Sequence, residues 1–213
     1  MNKKIIAVAA VGIIAIGVYA NSPFGEKVVF DNNPIVQTMQ LKQQNQLDGV
    51  LSALKETGIN PDDIKSWKPT GNTNQLGRTE YVFSTDGKKF NYHLWMNKNL
   101  SVFSITYSGS VLYKDGKLIE TITDNKPSEK EMQHMQTQAE KVVKRSLKAP
   151  DSAKFSEFKF MKQHGIGTVS GVVNAKNSFG ALIRTPFNFS FDFKNQNGAM
   201  IRGSINGEEL VKD

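Results

Sequence analysis

The spacing of apolar positions changes twice along the chain, and each change marks a different kind of element. From Ile35 onward the first half of a long polar run is weakly patterned and rich in glutamine. Leu47, Val50, Leu51 and Leu54 then recur at three and four residues, which predicts a helix over about 35–57, opened by Asn33-Pro34 and closed by Gly58. "NPDDIKSW" reads as one further helical turn with Asn60 as its cap. The Gly-, Asn- and Pro-rich "KPTGNTNQLG" reads as a surface loop.

From Arg78 to Thr123 the period falls to two. "TEYVFST", "KKFNYHLWM", "LSVFSITYS", "SVLYK" and "KLIETIT" are separated by turn formers, among them Asp86-Gly87 and Asp115-Gly116, both strong signals for two-residue hairpins. The pattern predicts an antiparallel meander of four or five strands, with Phe90, Tyr92, Leu94 and Met96 on one face and Asn91, His93 and Trp95 on the other. A polar joint, "DNKPS", follows.

Helical spacing then returns. Ser128 and Glu131 form a capping box ahead of Met132, Met135, Ala139, Val142, Val143 and Leu147, which make one apolar stripe, with His134 off it. Lys141, Lys144, Arg145 and Lys148 crowd the helix end, where the dipole favours cations, and Pro150 stops it. "PDS" supplies a turn, and Phe155 and Phe158 begin a strand. "IGTVSGVVNA" is a further strand and "KNSFG" a turn, with Gly180 able to take positive φ. "ALIRTPFNFSFDF" places Phe187, Phe189, Phe191 and Phe193 on one face, and Pro186 belongs at a bulge or an edge. Two rounds of helix followed by antiparallel strands make the fold class α+β.

The N-terminus changes the picture of location. Lys3 and Lys4 precede Ile5 to Ala20, sixteen residues without a charge. As a helix that stretch spans about 24 Å, short of a bilayer core of roughly 30 Å unless its flanks extend it. The length also suits the core of a signal peptide, with Val18-Tyr19-Ala20 before a cleavage point. A buried helix of a cytoplasmic domain is the third reading, though such a helix normally carries a polar face and this one has none. Residues 1–25 are therefore expected to form a transmembrane anchor or signal segment, followed by α+β domains at 26–124 and 125–213. Anchor or signal, either reading sends the remainder outside the cytoplasm.

Composition adds exclusions. The 213 residues contain no Cys, so thiol catalysis, disulfides and a Cys-based zinc site are out. Three His without ligand spacing disfavour zinc altogether. The net charge of +7 divides unevenly: Lys3 and Lys4 carry +2, residues 21–124 are balanced at eleven basic against eleven acidic, and residues 125–213 hold fourteen basic against nine acidic, or +5. Such a surface attracts anionic lipid, wall polymer or nucleic acid without choosing among them. No basic run interleaved with aromatics points to specific nucleic-acid binding.

At two stretches a resemblance appears. "SLKAPDSAKF" and "VSGVVNAKNSFGA" are similar to a widespread domain of small exported bacterial and phage proteins with the pattern L-[KR]-[DA]-P-x-S-A-x-F followed by V-x-G-x-V-N-A-K-N-S-[FY]-G. Leu147, Pro150, Ser152, Ala153 and Phe155 match the first part, and Val169, Gly171 and Val173 through Gly180 the second, within about residues 128–203. Many members carry Cys where this chain has Ser170, and an aromatic or Gly-rich continuation where it has Ala181-Leu182-Ile183-Arg184. The resemblance implies an exported α+β domain and brings no reaction or ligand with it.

The sequence supports a membrane-anchored or secreted, non-enzymatic binding or assembly protein of a bacterial envelope or of a phage or mobile element. Its expected partners are the membrane, through the N-terminal helix, and a protein of the envelope. Asn174, Lys176, Asn177 and Phe179 are the candidate contacts, since a turn with two amides, a cation and a ring suits recognition. No catalytic residue, cofactor or metal is assigned. The alternative is an envelope-polymer hydrolase, which needs paired carboxylates or a Ser, His and acid, whereas the acids here fall mostly on turns and helix starts.

Overall fold

The computed structural model describes residues 30–210, and the expected N-terminal segment lies outside them. Among the described residues no helix is long and apolar enough to cross a membrane. The architecture is α+β: two antiparallel meanders, each with its own hydrophobic core and each covered on one face by helix.

The predicted first helix is two. Helix α1 (Pro34–Met39) starts as expected, with Asn33 Oδ1 accepting the Ile35 N–H, but stops at Gln40, which takes left-handed φ of 52°. Leu41 is thereby turned into the core, and Gln46 Oε1 takes the N–H groups of Lys42 and Gln43 to start α2 (Gln44–Glu56). The break lets both apolar segments, Ile35-Val36-Met39 and Leu47-Val50-Leu54, face the same sheet. Asn60 caps a 3-10 turn at Pro61–Asp63 as expected.

The first sheet has six strands in sequence order: β1 (Ser66–Thr73), β2 (Thr79–Ser84), β3 (Tyr92–Met96), β4 (Val102–Tyr107), β5 (Ser110–Lys114) and β6 (Lys117–Leu118). Strand β1 replaces the expected loop. Pro69 is tolerated because β1 is an edge strand, and the register slips between Pro69 and Thr73. Ring pairs cross four strands in register: Trp67 on Phe83 at 4.5 Å, Phe83 on Tyr92 at 4.6 Å, and Tyr92 on Tyr107 at 4.8 Å. Each contributes beyond simple burial.

Asp115-Gly116 makes the expected two-residue hairpin, with φ of 50° and 76° joining Lys114 to Lys117. Asp86-Gly87 does not. The Asp86 carboxylate instead accepts the N–H groups of Lys88 and Lys89 and the Ser84 hydroxyl, which widens the connection and leaves Phe90 outside the strand, under the Lys68 ammonium. The last expected strand, "KLIETIT", is strand only at Lys117–Leu118. Ile122 opens a short helix α3 (Ile122–Asn125), its N–H held by Thr57 O.

Helix α4 (Glu129–Ser146) carries the predicted capping box, with Ser128 Oγ accepting the Glu131 N–H and Glu131 returning to the Ser128 N–H. It lays Met135, Ala139 and Val143 on the second sheet. That sheet runs β11-β10-β9-β8-β7, built from β7 (Lys154–Gln163), β8 (Ile166–Lys176), β9 (Leu182–Asp192), β10 (Ala199–Ile205) and β11 (Glu208–Leu210). Phe187, Phe189 and Phe191 seal its core as expected. Pro186 lies past the end of β10, where β9 is locally an edge and only Asn206 N reaches its carbonyl.

A bulge in β7 between Ser156 and Lys159 puts Phe155, Phe158 and Phe160 on the core side together. Opposite it sits Gly171, where a Cβ would stand 2.6 Å from the Phe187 ring and 3.1 Å from Ser156 O. Gly171 thus leaves the space that the Phe187 ring occupies.

Polar groups join the two halves. Gly165 N donates to Asp124 O (2.8 Å) and His164 N to Asn125 Oδ1 (3.2 Å), while the His164 ring meets Glu120 at 2.7 Å. Lys162, its side chain 6% exposed, binds Thr123 O and Glu131.

Candidate functional site

The two patterned stretches converge on one pole of the second sheet. After α4, Pro150–Ser152 forms a 3-10 turn, and the Ser152 hydroxyl donates to Ala149 O (2.7 Å) while accepting the Lys176 N–H (2.8 Å). The stop of the helix is thereby tied to the last residue of β8.

From there β8 and β9 continue as a two-stranded ribbon. Lys176 pairs with Leu182, past the start of β7, which begins where Lys154 pairs with Asn174. Asn177 builds the turn: its Oδ1 accepts the N–H groups of Phe179 (2.9 Å) and Ala181 (3.0 Å), its carbonyl accepts that of Gly180, and its own N–H goes to Ala181 O. Gly180 takes φ of 80° as expected. The turn therefore satisfies its own backbone donors at 177, 179, 180 and 181, a condition for leaving water cheaply.

Lys176, Asn177 and Phe179 lie on this ribbon and its turn, in different roles, while Asn174 lies below it, where β8 still pairs with β7. Phe179 is 94% exposed at its apex and Lys176 is exposed at its base. Asn174 is half-buried on the β8 face away from the helix. The Asn177 side chain is consumed by the turn, so it shapes the tip rather than presenting an amide. Leu182 (65% exposed) and Ile183 (47%), which sequence reasoning treated only as strand, complete the apolar crown. Their exposure follows from register: β10 ends at Ile205, opposite Phe187, so among the described residues no strand pairs with β9 from Leu182 to Thr185 on that side.

The same pole is basic. Lys148, Lys154 and Lys176 are exposed, and among the described residues none of them is in an ion pair. The Lys144 ammonium sits 5.8 Å from the Phe155 ring. Asp151 opposes them, and Glu157 on the bulge is already engaged, held by Arg184 Nη2 at 2.8 and 2.9 Å.

Two other polar groupings are present. On the outer face of the first sheet the Glu80 carboxylate, 7% exposed, accepts from Thr70 Oγ1, Asn72 Nδ2 and His93 Nδ1, the last at 2.8 Å. Burial acts to raise its pKa, but the hydrogen bonds from Asn72, His93 and Thr70 outweigh this and hold it below the usual carboxylate range. His93 is thus oriented by Glu80, on the same strand face as Trp95. On the outer face of the second sheet an open depression of about 320 Å³ is floored by Ser170, Asn188 and Ser204. Among the described residues no group of three His, Cys, Asp or Glu side chains is arranged to hold a metal ion.

No family model, no curated protein and no solved structure matches the chain.

Proposed function

We propose that the chain is a non-enzymatic binding or assembly protein of a bacterial cell envelope, or of a phage or mobile element, anchored in the membrane or exported through its N-terminal segment. In this reading the folded part stands outside the cytoplasm and works by presenting contact surfaces. The observation that carries it is the β8–β9 tip: a nearly fully exposed phenylalanine held on a turn that has spent its own hydrogen bonds. An exposed aromatic on a rigid, convex support is a feature of contact surfaces.

Hydrolysis of an envelope polymer would use a different kind of site. The Glu80–His93 pair on the outer face of the first sheet has its carboxylate turned into Thr70 and Asn72, which fixes the pair as part of the sheet rather than aiming it at a substrate.

A photo-crosslinking amino acid at position 179, expressed in intact cells, tests the proposal against the same group at Val111, an exposed position of the first sheet. Adducts with an envelope component at 179 and none at 111 are expected. Failure of position 179 to crosslink to anything overturns the proposal.

A further inference from the structure

We infer that the β8–β9 tip docks on an anionic lipid surface, with Phe179, Leu182 and Ile183 entering the headgroup boundary and the basic pole behind them meeting lipid phosphates. This deepens the proposed function and rests on its placing of the folded part beside the envelope.

Three observations favour lipid over a protein surface. First, the apolar residues are distributed around the ribbon: Phe179 is at the apex, while Leu182 and Ile183 are successive strand residues whose side chains leave opposite faces. A flat partner surface covers one such face, whereas a fluid apolar medium surrounds both. Second, the turn's donors at 177, 179, 180 and 181 are already paired within the turn, and the Lys176 N–H is taken by Ser152. Backbone that enters a poorly hydrated layer has to satisfy itself in this way, so the apex enters furthest, while the open edge from Leu182 to Thr185 stays in the hydrated headgroup layer.

Third, the charge complements an anionic surface. Lys148, Lys154 and Lys176 are exposed and unpaired among the described residues, Arg184 is already neutralised by Glu157, and the exposed Asp151 offsets only part of this charge. Apolar residues at the apex with cations behind them is the arrangement that combines shallow insertion with attraction to anionic headgroups. If residues 1–25 form an anchor, the four residues from 26 to 29 reach at most about 14 Å, which keeps the folded part near the bilayer and makes even weak docking effective.

The absence of cysteine gives a clean probe. Full-length protein carrying Phe179→Cys, labelled with an environment-sensitive fluorophore, is reconstituted with vesicles of phosphatidylcholine alone or of phosphatidylcholine with phosphatidylglycerol. Ser178→Cys provides a second tip position and Val111→Cys a control away from the tip. Both tip labels should brighten at least about twofold on the anionic vesicles and not on the neutral ones, with the Val111 label unchanged. Lys176→Gln should weaken the response about fivefold.

No change at either tip position, or equal change in both lipids, overturns the lipid assignment. If the tip label stays silent while position 179 crosslinks to a protein in cells, including one that adds a strand along the open edge of Leu182–Thr185, the binding-protein reading stands and the lipid reading falls. If neither happens, both fall.

Discussion

The hydroxyl of Ser152 accepts the backbone N–H of Lys176 at 2.8 Å, and this bond connects two stretches twenty-four residues apart. It makes the end of α4 and the base of the β8–β9 ribbon one unit. Replacing Ser152 with Ala removes both this acceptor and the donor to Ala149 O, at a cost of about 1 kcal/mol, because Lys176 is exposed enough to regain water. The sharper expectation is local: amide exchange at Lys176 should accelerate while that of Val173, deep in the core, keeps pace only with the small global loss. Unchanged exchange at Lys176 would show that the bond does not hold the ribbon.

Gly171 and Phe187 are cross-strand partners, and the ring fills the place of the missing side chain. Gly171→Ala should therefore destabilise by about 1–3 kcal/mol in urea unfolding, as an overpacked core does. Shortening the partner is the diagnostic step. Phe187→Leu on the Gly171→Ala background should cost less than Phe187→Leu alone, since the added methyl occupies space that the ring vacates. Simple additivity of the two changes would rule out the steric account.

What could be read in the sequence was what is decided locally. The Ser128–Glu131 box, the stripe of α4, the Phe187–Phe191 alternation and the Asp115-Gly116 hairpin each carry their cause within a few residues. Three features escaped because their cause is remote. Strand β1 has a loop's composition and becomes strand only through pairing with β2. Gln40 breaks the first helix because Leu41 has a core to enter. Asn125 looked like linker and is 3% exposed, holding a hairpin of the other sheet. At the tip the turn was legible in "KNSFG", but Asn177 was expected as a contact where its side chain builds the turn, and Leu182 and Ile183 were passed over because their exposure depends on where β10 stops.

Asp86 gives the expected acid sensitivity of the first sheet. The N–H groups of Lys89 and Lys88 and the Ser84 hydroxyl pull its pKa down to about 2. A carboxyl depressed in the folded state contributes stability that is present above its unfolded value of roughly 3.9 and is lost as pH falls toward the folded value. Stability should therefore decline between about pH 4 and pH 2 partly through this group. Asp86→Asn keeps an oxygen for the same donors while removing the titration, so the variant's stability curve should be shallower in that window. Parallel curves for the two proteins would exclude the contribution.

Asn125 supplies the most demanding test, because it serves both halves at once. Its Nδ2 donates to Glu120 Oε2 (2.9 Å) and Thr121 O (3.2 Å), and its Oδ1 accepts the His164 N–H. Asn125→Leu keeps the branched shape but strands the His164 donor and withdraws a donor that helps hold the Glu120 carboxylate below the usual range, where burial alone would raise it. The expected loss is about 2–3 kcal/mol, more than for an exposed linker residue, since buried partners are left unpaired. Its signature should be positional. Amide exchange at His164 and Gly165, in the turn before β8, should rise well ahead of that at Val169 and Val173 within β8, because the joint opens while the sheet stays folded. If Gly165 remains as protected as Val169, its bond to Asp124 O holds the two halves without Asn125, and the side chain is not the lock.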